Sequence, residues 1–148
     1  MAATTKWYGL AAKHLAQGDI AWVADTIKVS LHTSGYTPNQ DTHEYFSDVS
    51  SELAASGNYA AGGNALAGKA KTYDSATNQE RLTADNLVFA ALTPSAAFRY
   101  AVIRKARGGA SSADELLAYI DFGANQDPGG FDFQIQWPGT GVLYMQAS

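Results

Sequence analysis

Between Asp25 and His32 the chain alternates with a period of two. Ile27, Val29 and Leu31 fall on one side, Lys28, Ser30 and His32 on the other. Side chains of extended backbone point alternately to opposite faces, so this pattern predicts a strand with one buried and one wet face. The pattern returns as far as the C-terminus. Strand-like segments follow at 69–74, 80–83 and 86–92, and Phe98, Tyr100 and Val102 are expected to share one face of another. Leu116–Phe122 reads as a strand ended by Gly123. Phe131, Phe133, Ile135 and Trp137, spaced by Asp132, Gln134 and Gln136, give the cleanest alternation, and Val142–Met145 a last short strand. Turn residues separate these runs: Ser34-Gly35, a hairpin connection over Asp74–Asn78, Thr93-Pro94-Ser95 and the Pro/Gly cluster Asn125–Gly130. No strand–helix–strand rhythm is present, which argues against a parallel α/β sheet. The predicted class is all-β: an antiparallel two-sheet sandwich, with the jelly roll as its candidate type and one or two short helices near the N-terminal half.

The chain has 148 residues, the size of one domain with a core that needs no metal or disulfide staple. Trp7, Leu10, Ala11, His14 and Leu15 fall at helical spacing within 4–16, with Gly18 as the stop, so residues 1–19 read as an N-terminal arm or short helix. A second helical turn is expected at Thr42–Phe46. Residues 20–148 form the sandwich domain. Within it, the Gly- and Ala-rich segment 54–68 reads as a long flexible loop.

Charged residues make up only 16% of the chain and the net charge is −4, which disfavours a nucleic-acid partner. The one basic cluster, Arg104-Lys105-Ala106-Arg107, reads as a strand end running into a loop. There is no cysteine, which excludes disulfides and thiolate chemistry. No apolar run reaches membrane-spanning length and the N-terminus lacks the apolar stretch of a signal peptide, so a soluble protein made in a cytoplasm is expected.

Catalytic signatures are missing. There is no Gly-x-Ser-x-Gly elbow and no phosphate loop, and His14, His32 and His43 read as surface or helix-start residues. Asp114 and Glu115 are adjacent and would point to opposite faces of a strand. Asp127 and Asp132 flank a Gly-rich turn and offer the oxygen ligands that Ca²⁺ takes, but the favoured reading has Asp127 starting the turn and Asp132 facing water. The expectation is therefore no catalytic residue, no metal and no cofactor. Among the aromatics, Trp137 is assigned to the core by its register with Phe133 and Ile135. Trp7 and Tyr8 near the terminus, and Asn58 and Tyr59 in the 54–68 loop, are the candidate partner contacts.

The order of segments resembles a group of small structural proteins of tailed bacteriophages. It is carried by Asp25–Leu31, Tyr36-Thr37-Pro38, Thr42–Val49, Gly57-Asn58-Tyr59 with Gly62-Gly63, Tyr73-Asp74, Leu82–Leu87, Tyr100–Ile103, Tyr119–Gly123 and Phe133–Trp137. The resemblance covers roughly residues 20–145 and brings no catalytic residues with it. It implies a virion component, a capsid decoration or cement protein bound to the major capsid protein on the shell surface in many symmetry-related copies or as a homo-oligomer. No nucleic acid and no membrane would be involved. Segments 1–19 or 54–68 would then order on assembly. The competing reading is a tail- or fibre-associated adhesin domain that binds host surface glycans through exposed aromatics. A small hydrolase is a distant third.

Overall fold

The computed structural model describes residues 1–147. Its strands are β1 (Thr5–Trp7), β2 (Ile27–His32), β3 (Asn64–Ala65), β4 (Ala70–Asp74), β5 (Gln79–Thr83), β6 (Leu87–Phe89), β7 (Phe98–Lys105), β8 (Leu116–Gln126), β9 (Phe133–Ile135) and β10 (Leu143–Gln146), with one helix, α1 (Ala11–Gln17). Single 3₁₀ turns lie at Phe46–Asp48 and Ser111–Ala113. A five-stranded sheet runs β1-β8-β7-β2-β3, a three-stranded one β10-β5-β4, and β6 pairs with β9. Every pairing between these strands is antiparallel. The protein is an all-β antiparallel fold, and the 74–78 hairpin lies where turn chemistry placed it.

The main core lies between the five-stranded sheet and the two smaller ones. Ile27, Val29 and Leu31 of β2, Ala101 and Ile103 of β7 and Ile120 of β8 meet Leu82, Phe89, Phe133, Ile135 and Leu143. The buried face of β2 is thus the expected one. Its other face is not wet: Ser30 and His32 are both 0% exposed. They lie beside a second, aromatic cluster of Tyr8, Tyr36, Val102, Leu116 and Tyr119, against which Phe46, Val49 and Tyr100 pack. Segment 36–53 lies along this face and is tied to the sheet by its own backbone. Phe46 N–H donates to Asp114 O, Leu116 N–H to Glu44 O, Thr33 N–H to Ser51 O and Leu53 N–H to Leu31 O. A central strand covered on both sides has no solvent face, whatever the polarity of its residues.

Other expectations are corrected by local geometry. A bulge between Phe98 and Tyr100 shifts the register of β7 on β8, so Phe98 joins the main core while Tyr100 and Val102 face the aromatic cluster. Gly123 does not end β8. It takes a φ of +79° with its N–H on Asp121 Oδ1, and the strand continues to Gln126. The alternation over 131–137 holds for Phe133 and Ile135, but Phe131 lies outside β9 and is 78% exposed.

The first residues are strand rather than helix or free arm. Ala2 bridges Gln136, β1 pairs with Ala118–Ile120, and Tyr8 N–H donates to Leu117 O, so the backbone stays extended to residue 8 and the helix begins at Ala11. It stops at Gly18 in the left-handed conformation, as expected. Segment 54–68 is likewise packed: it supplies β3 and buries Tyr59 and Leu66. Gly63 is obligatory there, since a Cβ would sit 1.8 Å from Val29 O and φ is +77°.

Candidate interaction surface

Of the four residues singled out as partner contacts, two are inside the fold. Tyr8 is 0% exposed, its hydroxyl 2.7 Å from that of Tyr36, which in turn lies 2.9 Å from His43 Nδ1. Tyr59 is equally enclosed; its hydroxyl donates to Glu52 Oε1 at 2.8 Å and accepts from Leu31 N–H at 3.0 Å. Burial holds all three phenols neutral: it raises the pKa of Tyr8 and Tyr59 far above the ordinary phenol range and pushes Tyr36 up to about 12. Asn58 is exposed, with its amide on Ala91 O, and Trp7 is half-buried at the edge strand.

His14 and His32 are interior groups rather than surface ones, and His43 is half-buried. His14 lies between two carboxylates, with Nδ1 2.8 Å from Asp19 and Nε2 2.9 Å from Glu44, so it pins α1 to segment 36–53. Ser30 Oγ lies 2.8 Å from His32 Nε2, and His32 Nδ1 donates to Ser50 O at 2.9 Å. The residues of a nucleophile–base pair are thus brought together, which no linear motif announced. They are sealed inside the sheet, and burial pulls the His32 pKa down to about 4. Arg104 is buried as well, stacked over Phe46 at 3.7 Å and donating to Gly62 O; Lys105 pairs with Asp25 and Arg107 with Glu115. The basic cluster is spent on internal pairs. Asp132 accepts the Ala91 N–H while Asp127 stays in the exposed turn. Among the described residues no three His, Cys, Asp or Glu side chains are grouped as a metal site requires, and no helix is long and apolar enough to cross a membrane.

The surface that stays open lies on the far side of α1. Ala11 and His14 are buried, whereas Ala12 and Ala16 are exposed and leave a gap above the three-stranded sheet. The result is a groove of about 520 Å³ walled by Ala12, Leu15 and Ala16, floored by Leu82 and Met145, and bounded by Ile20, Ala21 and Trp22, with Lys71 and Glu80 as its charged lining. It runs into a second hollow of about 240 Å³ between Trp7, Ala12, Leu15, Tyr144 and Met145. Tyr144 and Met145 are each about 40% exposed.

A second apolar feature stands at the other end of the body. Phe131 crowns the turn 128–131, which is closed by Phe131 N–H to Pro128 O and clamped to its neighbour by Gly130 N–H to Leu92 O and Leu92 N–H to Phe131 O. Ala91, beside it, holds a left-handed φ of +45° and is fixed by Asp132 on one side and Asn58 on the other. The ring is thus presented on a braced support.

All three tryptophans are committed to the fold itself. The indole N–H groups of Trp7, Trp22 and Trp137 donate to the carbonyls of Tyr144, Thr83 and Asp85. The groove had no local signature, because its lining comes from four separate stretches of chain that meet only in the folded state. No family model, no curated protein and no solved structure matches this chain.

Proposed function

We propose that this chain is a non-enzymatic structural protein of a tailed-bacteriophage virion: a decoration or cement protein that binds the major capsid protein on the shell surface and stabilises the shell. The observation that carries the reading is the apolar groove beside α1 at one end of a well-braced body, with the exposed Phe131 at the other. Buried interface cores are built from such apolar and aromatic residues. The resemblance over residues 20–145 supplies the class of partner.

The physical account is short. A filled shell carries an outward load from its packaged DNA. A protein that bridges neighbouring capsid subunits adds interface that must break before the shell opens, and many symmetry-related copies make individually weak contacts strong together. A rigid unit loses little conformational entropy on docking, which favours this use. The adhesin reading has less support, because the indoles that would form a sugar-stacking platform are each anchored to a main-chain carbonyl.

The test is to add the purified chain to expanded shells of the major capsid protein from the same virion. Saturable binding, density at repeated lattice positions by cryo-electron microscopy and raised resistance of the shell to heat are expected. No binding to shells, together with binding on a glycan array, would replace this reading with the adhesin one.

A further inference from the structure

We infer that the span Ser34–Ser51 is an acid-released strap: protonation of His32 lifts it from the five-stranded sheet as a unit while the main core stays folded. It is a loop whose two ends adjoin. It leaves β2 after His32 and returns beside it, with Thr33 N–H on Ser51 O and His32 bridged to Glu52. Gly35 passes so near Ser51 that a Cβ there would lie 2.9 Å from Ser51 Oγ, and Ser51 turns the return with a left-handed φ of +61°. The strap can therefore swing away without pulling on β2. Tyr36, Phe46 and Val49 are its apolar contribution, and all three go to the aromatic cluster; the main core is assembled from residues outside the strap. A segment packed on its own satellite core can open while the rest of the fold holds.

His32 is the ionisable group at the seam. Its ring sits under the strap, 5.6 Å from the Tyr36 ring and edge-on to Phe46 at 5.9 Å, and its Nδ1 donates to Ser50 O. On the sheet side its Nε2 lies against Ser30 Oγ, and Tyr100 of β7 stands opposite. The charges that face it are Arg104 of β7, itself stacked on Phe46, and Glu52 just past the strap. With the strap in place, a proton on the ring is a buried cation near a second cation. With the strap lifted, it is a hydrated imidazolium. Burial accordingly holds the closed ring down to about 4, against 6.5 for a hydrated imidazole. Closure is favoured in full above pH 6.5, and that advantage is lost as pH falls toward 4. The carboxylates that fasten and shape the strap stay largely ionised at pH 4.5. Lys13 holds Glu44 below the usual carboxylate range, and the main-chain N–H groups of Tyr45 and Glu44 do the same for Asp48. A charge on His14, set between Asp19 and Glu44, would bind the strap more firmly. Neither the α1 groove nor Phe131 takes part.

The test is amide exchange on the full chain at pH 7 and pH 4.5, each rate divided by that of an unstructured peptide at the same pH. Phe46 N–H, held by Asp114 O, and Leu116 N–H, held by Glu44 O, report the strap; the ladder between β2 and β7 reports the sheet. Protection of the two strap reporters is expected to fall roughly fiftyfold from pH 7 to pH 4.5, and to lie at least about tenfold below that of the ladder at pH 4.5. In His32→Gln the fall should shrink to less than about fivefold, while His14→Gln should keep it in full. The wild-type ring gives a reading that needs no variant: its NMR titration should reach its midpoint near 4. Strap protection that ignores pH, or that equals ladder protection at both pH values, would overturn the inference. So would a folded His32→Gln chain that keeps the full fall, or a His32 ring with its midpoint near 6.5.

Discussion

Helix α1 meets two very different surroundings. On one side His14 is buried between Asp19 and Glu44, and beyond it Tyr8, Tyr36, His43 and Tyr119 form a continuous hydrogen-bonded and stacked cluster under segment 36–53. On the other side Ala12 and Ala16 border a groove that none of the described segments enters. Both surfaces are rich in aromatic or apolar groups. One is closed by the chain and should register in stability; the other is left open and should register in association. The difference separates what holds this protein together from what it presents to other molecules.

The largest effect is expected on the closed side. Tyr8→Ala removes a fully buried ring from between Tyr36 and Tyr119 and should cost about 3–5 kcal/mol in denaturant unfolding. Acid comes next. The unfolded chain takes up a proton at His32 near the ordinary value of 6.5, whereas the folded chain resists until about 4. The contribution of His32 is therefore complete above pH 6.5 and is lost as pH falls toward 4, by about 3 kcal/mol. The groups around the ring are Arg104, which opposes its protonation, and Glu52, which favours it. His32→Gln should flatten the slope of stability against pH over that window, even where it lowers stability at neutral pH. Tyr36→Phe is smaller: it leaves the Tyr8 hydroxyl without its buried partner, for about 1–3 kcal/mol. The smallest effect is expected on the open side, where Ala12→Glu should change unfolding by less than about 0.5 kcal/mol while weakening binding to shells. A groove substitution as costly as Tyr8→Ala would break the comparison.

The sequence carried the closed side only in part. The alternation of Ile27, Val29 and Leu31 marked one face of β2 correctly, because apolar burial leaves a local trace. Ser30 and His32 read as solvent-facing, because what buries them is a segment some twenty residues away whose docking rests on backbone hydrogen bonds that side-chain polarity does not encode. Tyr8 and Tyr59 looked like free anchors for the same reason: an amphipathic ring suits an interface and a hydrogen-bonded interior equally well. Phe131 continued the register of Phe133 and Ile135 in the sequence, but the Pro128–Phe131 turn holds it outside the strand, which starts two residues later than the pattern implies. The bulge after Phe98 similarly broke a face that alternation had joined. The groove was illegible, since Leu15, Trp22, Leu82 and Met145 each look like core residues and only their placement leaves a gap.

Amide hydrogen exchange measured on the dilute free chain and on the chain assembled on shells tests the division between the two sides most directly. Segment 36–53 and strand β2 should be protected equally in both states, while the amides of Ala11–Gln17, Leu143–Gln146 and the 128–131 turn should slow only on assembly. Protection gained in 36–53, with α1, β10 and the turn unchanged, would contradict it.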